Sequence, residues 1–178
     1  MADIGQFQRD FASFSSTFKV TSRDGNHSAH LCNDESQEVL DFDAIVEDLY
    51  PNSNTRPKSF DALYIHQNLL FCVEFKNQKP SQINNRDIQE KLEKGKEELV
   101  RLLQERHIQQ KSFDFIYCVV YKQHQEPRDR YKSGIGKEAI RFGLEKYEQN
   151  GFVKKVFTEN VNFFTKQFEK QLQKELAC

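Results

Sequence analysis

Three side chains in the first half of the chain have types and spacing that could do chemistry together. Asp61 is followed after 12 residues by Glu74-Phe75-Lys76, at the end of the run Leu70-Phe71-Cys72-Val73-Glu74-Phe75-Lys76. If that run is a strand, alternation puts Glu74 and Lys76 on one side and Phe71, Val73 and Phe75 on the other. A connecting loop of two or four residues sets position 61 directly opposite position 74, with Cβ atoms about 4.5–5.5 Å apart. Two carboxylates so placed in an apolar neighbourhood repel each other. A divalent cation removes the conflict, because Mg²⁺ takes oxygen ligands and typically uses one or two carboxylates with waters and a substrate phosphate. An amine beside the pair can hold and orient the water on the metal while the cation offsets charge on a phosphoryl oxygen. The chemistry that Asp, Glu and Lys specify together is hydrolysis of a phosphodiester.

The elements that must position these residues are legible in the surrounding pattern. Phe60–Ile65 and Leu69–Lys76 are short runs rich in aromatic and β-preferring residues, separated by His66-Gln67-Asn68, and read as a β-hairpin. Before them, Val39, Leu40, Phe42, Ile45, Val46 and Leu49 recur at helical intervals from an acidic start until Pro51, which predicts a helix broken near Asp41. After them, a long helix is expected from Arg86 to His107, with Ile88, Leu92, Leu99, Leu102 and Leu103 on one face and Gly95 on the same face marking close packing. Phe113–Tyr121 is almost continuously apolar, as a strand covered on both faces should be. A helix around Gly136–Asn150, a strand Phe152–Phe157 and a closing helix Glu159–Leu176 complete the order. The sum is an α/β fold, a mixed sheet sandwiched between helices. Residues 1–33 read as a peripheral extension with a short helix around Ile4–Phe14, and residues 34–178 as a single domain.

Composition bounds the alternatives. A chain of 178 residues with 37% apolar and 12% aromatic content, 16 of them Phe, can bury a core of its own, which argues against disorder. No run approaches the 18 or so apolar residues of a membrane span, and the start carries no basic region ahead of an apolar stretch, so neither membrane insertion nor secretion is expected. Cys32, Cys72, Cys118 and Cys178 lie far apart without CxxC spacing, which fits a reduced, cytoplasmic setting. The net charge of −1 excludes a strongly basic field over the whole chain. Residues 1–60 carry 5 Lys/Arg against 10 Asp/Glu and the remainder 21 against 17, so any polyanion-binding surface belongs to the later part.

Asp61 with Glu74-Phe75-Lys76 on a hairpin, preceded by an acidic helix and followed by helix and strand, resembles the PD-(D/E)xK, or restriction-endonuclease-like, nuclease superfamily. The resemblance spans residues 36–121, which would correspond to that family's αβββαβ core. It implies that Asp61 and Glu74 bind a catalytic Mg²⁺, with Mn²⁺ as a substitute, that the backbone carbonyl of Phe75 is a further ligand, and that Lys76 supports the nucleophilic water. Many members add a Glu from the first helix, for which Glu38 and Glu47 are both candidates. Gln78, on the face of Lys76 if the strand continues, is a candidate contact to phosphate or water. Two departures stand out: Phe60, not Pro, precedes Asp61, and the first strand of the family's three-stranded meander is not evident.

Other signals carry less. Lys122, Arg128, Arg130 and Lys132, with Tyr131, form the densest basic loop and follow the central strand, where they could reach a nucleic-acid backbone, although Glu126 and Asp129 dilute the charge. His27, His30 and Cys32 near Asp34 have ligand chemistry, but a closed zinc site needs four ligands and no second cluster supplies them. Val161, Phe164, Phe168 and Leu172 form a stripe whose default is burial against its own sheet, with a homodimer surface as the alternative. The expected function is a metal-dependent nuclease acting on DNA sooner than RNA. Its rivals are a non-catalytic nucleic-acid-binding or interaction module on the same fold, and an RNA-cleaving or toxin nuclease.

Overall fold

The computed structural model describes residues 4–23, 29–122, 140–172 and 178. Its strands form one six-stranded sheet whose spatial order follows the chain: β1 (Ser15–Thr17), β2 (Glu38–Asp41), β3 (Ala62–His66), β4 (Leu69–Lys76), β5 (Asp114–Tyr121) and β6 (Lys155–Asn160). The pairs from β1 to β4 are antiparallel; β4, β5 and β6 run parallel. The described helices are α1 (Ile4–Asp10), α2 (Phe18–Thr21), α3 (Phe42–Leu49), α4 (Asn85–Glu105), α5 (Glu145–Gln149) and α6 (Val161–Leu172). The architecture is therefore α/β, with a mixed sheet flanked by helices, as the order of patterns implies. No described helix is long and apolar enough to cross a membrane.

Alternation along β4 decides which helix covers which face. Leu70 and Cys72 pack in one core with Ile88, Leu92 and Leu99 of α4, while Phe71, Val73 and Phe75 pack in the other with Phe164 and Phe168 of α6. Glu74 and Lys76 belong to the α4 side. β5 contributes Tyr117 and Val119 to the first core and Cys118 and Val120 to the second, which is why its sequence shows no polar alternation. Phe164 and Phe168 thus bury against their own sheet.

The hairpin closes through Gln67-Asn68, with His66 paired to Leu69 and Ala62 to Val73. Gln67 takes the left-handed conformation, φ 53°, that a two-residue turn of matching twist requires. At Gly95 a Cβ would stand 2.6 Å from Cδ1 and 2.9 Å from Cε1 of Phe60, so only glycine lets α4 approach the residue preceding Asp61 this closely. Phe60 is itself held by stacking on Phe42 with ring centroids 4.4 Å apart.

Several boundaries differ from the sequence reading. The helix expected through Val39 begins only at Phe42: Val39 and Leu40 pair in β2, and Asp41 accepts a hydrogen bond from the Ala44 amide at 2.9 Å as the N-cap. The strand β2, which pairs antiparallel with β3, is absent from the sequence reading because at four residues it is too short to show a period. The stretch read as a peripheral extension instead supplies buried Phe7, Phe11 and Phe18 to the core and the edge strand β1. The last strand starts at Lys155, not Phe152, because Val153 donates to the Tyr147 carbonyl and pairing with the sheet begins only when Lys154 donates to the Phe115 carbonyl. Within the expected helix 136–150, the described residues are helical at Glu145–Gln149; 136–139 and 173–177 lie outside the described residues.

The expectation of reduced cysteines holds for Cys72 and Cys118, which are buried free thiols. It does not hold for Cys32 and Cys178, which form a disulfide across 146 residues. Spacing gave no sign of it, since the two meet only through the packing of α6 beside the N-terminal segment.

Candidate active site

Asp61 immediately precedes the last ladder pair of the hairpin, Ala62 with Val73. The Asp61 amide donates to the Val73 carbonyl at 3.0 Å, and Oδ2 of Asp61 accepts from the Phe75 amide at 2.6 Å, so the carboxylate is clamped across the strand end. Its side chain is 20% exposed, whereas Glu74 is fully buried. Lys91, from α4, reaches between the two: its Nζ donates to Oε2 of Glu74 at 3.0 Å and lies 2.8 Å from Oε1 and 3.6 Å from Oδ1 of Asp61. Lys76 Nζ is 3.0 Å from Oε1 of Glu74 and donates to Oδ2 of Asp87 at 3.2 Å. Asp87 also pairs with Lys58 at 2.8 Å, and Lys58 with Glu90 at 2.8 Å, extending the alternation of charge along the first turns of α4.

Electrostatics follow from this packing. Burial, then the neighbouring Glu74 charge, raises the Asp61 carboxyl above the usual carboxylate range, with Lys91 and the Phe75 amide opposing. Burial alone would lower both lysines, but the carboxylates around them win: Lys91 is raised by Glu74 and Asp61, and Lys76 by Glu74 and Asp87. Both therefore stay ammonium ions at neutral pH and act as donors. Although two ammonium groups stand within 3.0 Å of it, the buried Oε1 of Glu74 accepts no well-aligned hydrogen bond.

Asp61, Glu74, Lys76 and Gln78 line one cleft of about 240 Å³ together with Ser22, Arg23 and Lys91. Lys76 and Gln78 also border a second hollow with Lys58, Gln82, Asn84 and Arg86, so the end of β4 separates two polar recesses. The auxiliary acids fall elsewhere. Glu38 sits on β2, not a helix, and accepts from the Ser15 hydroxyl at 2.7 Å, while Glu47 pairs with Arg56 at 2.7 Å. The acid of α3 whose charge reaches the site is Asp43, the least of the influences on Asp61 and Lys91. It receives a hydrogen bond from Ser59, two residues before Asp61. Lys122 is exposed, and its amide donates to the Lys76 carbonyl at 3.1 Å. Arg128, Arg130 and Lys132 lie outside the described residues. At the declined zinc cluster, His30 Nδ1 meets the Lys19 carbonyl and Cys32 is disulfide-bonded.

The sequence reading missed Lys91, Asp87 and Asp43. Lys91 stands one turn before Gly95 and adjoins buried Leu92, which places it at the margin of the apolar stripe; in a helix this rich in Lys and Glu that margin is a faint signal.

Among the described residues, no group of three or more His, Cys, Asp and Glu side chains is arranged to hold a metal ion. The donor set is smaller: the carboxylates of Asp61 and Glu74. That set suits Mg²⁺, which completes its shell with water, and not a closed protein cage. The position a cation would neutralise is reached by the Lys91 ammonium, and Glu74 Oε1 lacks an aligned donor, so the residues fit the ion. No family model, curated protein or solved structure matches the chain.

Proposed function

We propose that this protein is a metal-dependent nuclease of the PD-(D/E)xK type, hydrolysing phosphodiester bonds in DNA. The observation that carries the reading is that Asp61 and fully buried Glu74 face one point, marked by a Lys91 Nζ 3.6 Å from the first and 2.8 Å from the second, with Lys76 beside Glu74 in a polar cleft. Retaining a buried carboxylate against a second one costs stability unless the arrangement serves a charge that comes and goes. Mg²⁺, when bound, supplies a Lewis acid for the phosphoryl oxygen and lowers the pKa of a bound water. Asp61 and Glu74 would hold the ion, and the clamp from the Phe75 amide fixes the orientation of the Asp61 carboxylate. Lys76, kept cationic by Glu74 and Asp87, orients the attacking oxygen by donation and is not its base. Asp87 and Glu90 anchor Lys58 and Lys76 on α4, which positions cations along the route of a phosphate backbone.

The competing reading, a binding module without turnover, rests on Lys91, which already offsets the carboxylate charge without a metal. The two separate in one assay: purified protein with plasmid, linear and single-stranded DNA and RNA, in Mg²⁺, Mn²⁺ or EDTA. Cleavage of DNA with Mg²⁺ or Mn²⁺, none with EDTA and none by Lys76→Ala in a folded protein, supports the nuclease. Undiminished cutting by that variant removes Lys76 from the mechanism, and nucleic-acid binding without cutting leaves the module.

A further inference from the structure

The most unusual placement in the molecule is the Lys91 ammonium between Asp61 and Glu74. A long flexible lysine arm has ample reach toward solvent, yet this one is turned inward, 19% exposed, onto a carboxylate that is 0% exposed. It is held by helix packing: Gly95, one turn later, seats α4 against Phe60, and Ile88 and Leu92 on either side are buried. Its position relative to the two acids is that of a bridging cation, 2.8 Å from one and 3.6 Å from the other. Lys76, by contrast, touches Glu74 only and shares itself with Asp87.

We propose that Lys91 is an internal counter-ion of the carboxylate pair, which a divalent cation displaces, so that metal binding turns Lys91 from a carboxylate partner into a free donor facing the cleft. This rests on the metal-binding reading of Asp61 and Glu74 given above. An ammonium and a divalent ion cannot both neutralise one pair at close range, because their own repulsion grows as 1/r in a site of low dielectric. The cleft walls already carry Arg23 and Lys76, so a released Lys91 adds a third cation where a phosphate would sit. Metal and polyanion should therefore bind with mutual reinforcement, each favouring the state in which Lys91 has left the pair.

The test is Mn²⁺ binding by calorimetry without nucleic acid, in the wild type, Lys91→Met and Lys91→Arg, with Asp61→Asn as control. Removing the competitor is expected to tighten Mn²⁺ binding at least tenfold in Lys91→Met, while Lys91→Arg, which keeps the charge, binds no tighter than wild type and Asp61→Asn weakens binding. Equal affinity in wild type and Lys91→Met overturns the counter-ion role while leaving the metal site standing. Absence of Mn²⁺ binding in all of them overturns both. Should Lys91→Met not fold, the wild type alone decides: the Lys91 side-chain ammonium resonance, assigned by its loss in Lys91→Arg, must move on titration with Mg²⁺. A resonance unmoved at saturating Mg²⁺ overturns the proposal.

Discussion

Gly95→Ala sets two effects of opposite sign against each other. In an exposed helix interior the substitution gains about 1 kcal/mol, since alanine loses less backbone entropy than glycine. At Gly95 the new methyl meets Phe60 Cδ1 at 2.6 Å and Cε1 at 2.9 Å, and the Phe60 nitrogen at 3.3 Å. Phe60 has no free direction in which to yield: it is fully buried and stacked on Phe42, itself fully buried. Overpacking of this kind costs about 1–3 kcal/mol, and a rigid stacked ring belongs at the upper end. The expected net is destabilisation by about 1–2 kcal/mol, a fall in melting temperature of about 3–6 °C for a chain of this size. The relief available is a shift of α4 or of the backbone at residue 60. Either one moves Lys91 or Asp61, so Mn²⁺ affinity should change in the same variant. Thermal unfolding by circular dichroism with parallel Mn²⁺ titration reads both. A rise in melting temperature matching the propensity gain, with metal affinity unchanged, would show that the close approach does not govern the site.

Other perturbations test separate parts of the arrangement. Because the folded Asp61 pKa is raised, the stability it contributes is full below its unfolded value of about 3.9 and is lost as pH rises through the folded value. In the metal-free protein Asp61→Asn, which can still accept from the Phe75 amide, should flatten that decline in urea titrations between pH 4 and neutrality. A decline as steep in the variant as in the wild type rejects Asp61 as its source. Glu74→Ala removes the shared partner of two ammonium groups and is expected to cost about 3–5 kcal/mol in denaturant unfolding, the range for breaking a buried pair; a loss below 1 kcal/mol would mean that Lys76 and Lys91 find equal partners elsewhere. Cys178→Ser opens a disulfide spanning 146 residues and should lower stability by about 2–5 kcal/mol, with reductant producing the same loss in the wild type and none in the variant.

The hairpin and the central strand were readable because each has a pattern that only one geometry satisfies. Alternation in Leu70–Lys76 placed Glu74 and Lys76 on one face, and the two-residue turn set the ladder that ends at Ala62 and Val73; beyond it the Asp61 amide bonds Val73 and its carboxylate accepts from the Phe75 amide, a local departure that a turn length does not reveal. Gly95 was readable as a close approach, although its partner Phe60 was not, since helix periodicity says nothing about what lies opposite. Short elements escaped: β1 and β2, at three and four residues, carry less than one usable period, and Asp41 looked like a helix interruption when it is the cap. Lys91 and Asp43 escaped for a different reason. Their importance lies in tertiary placement, and in a chain with 30% charged residues an acid or a lysine on a helix has no local mark of it. Glu38 and Glu47 stood as candidates because the family resemblance implies a Glu from the first helix, and the fold turns both toward other partners.

The central claim is that Asp61 and Glu74 jointly hold one divalent cation. Crystals grown with Mn²⁺ and measured at the manganese absorption edge test it directly. The expected result is one anomalous peak at about 2.0–2.2 Å from carboxylate oxygens of both residues, as hard divalent ions require, with the Lys91 ammonium displaced from the pair. A difference map with Lys91 still bridging the carboxylates, and manganese absent there or found only beside Asp87 and Glu90, would contradict it.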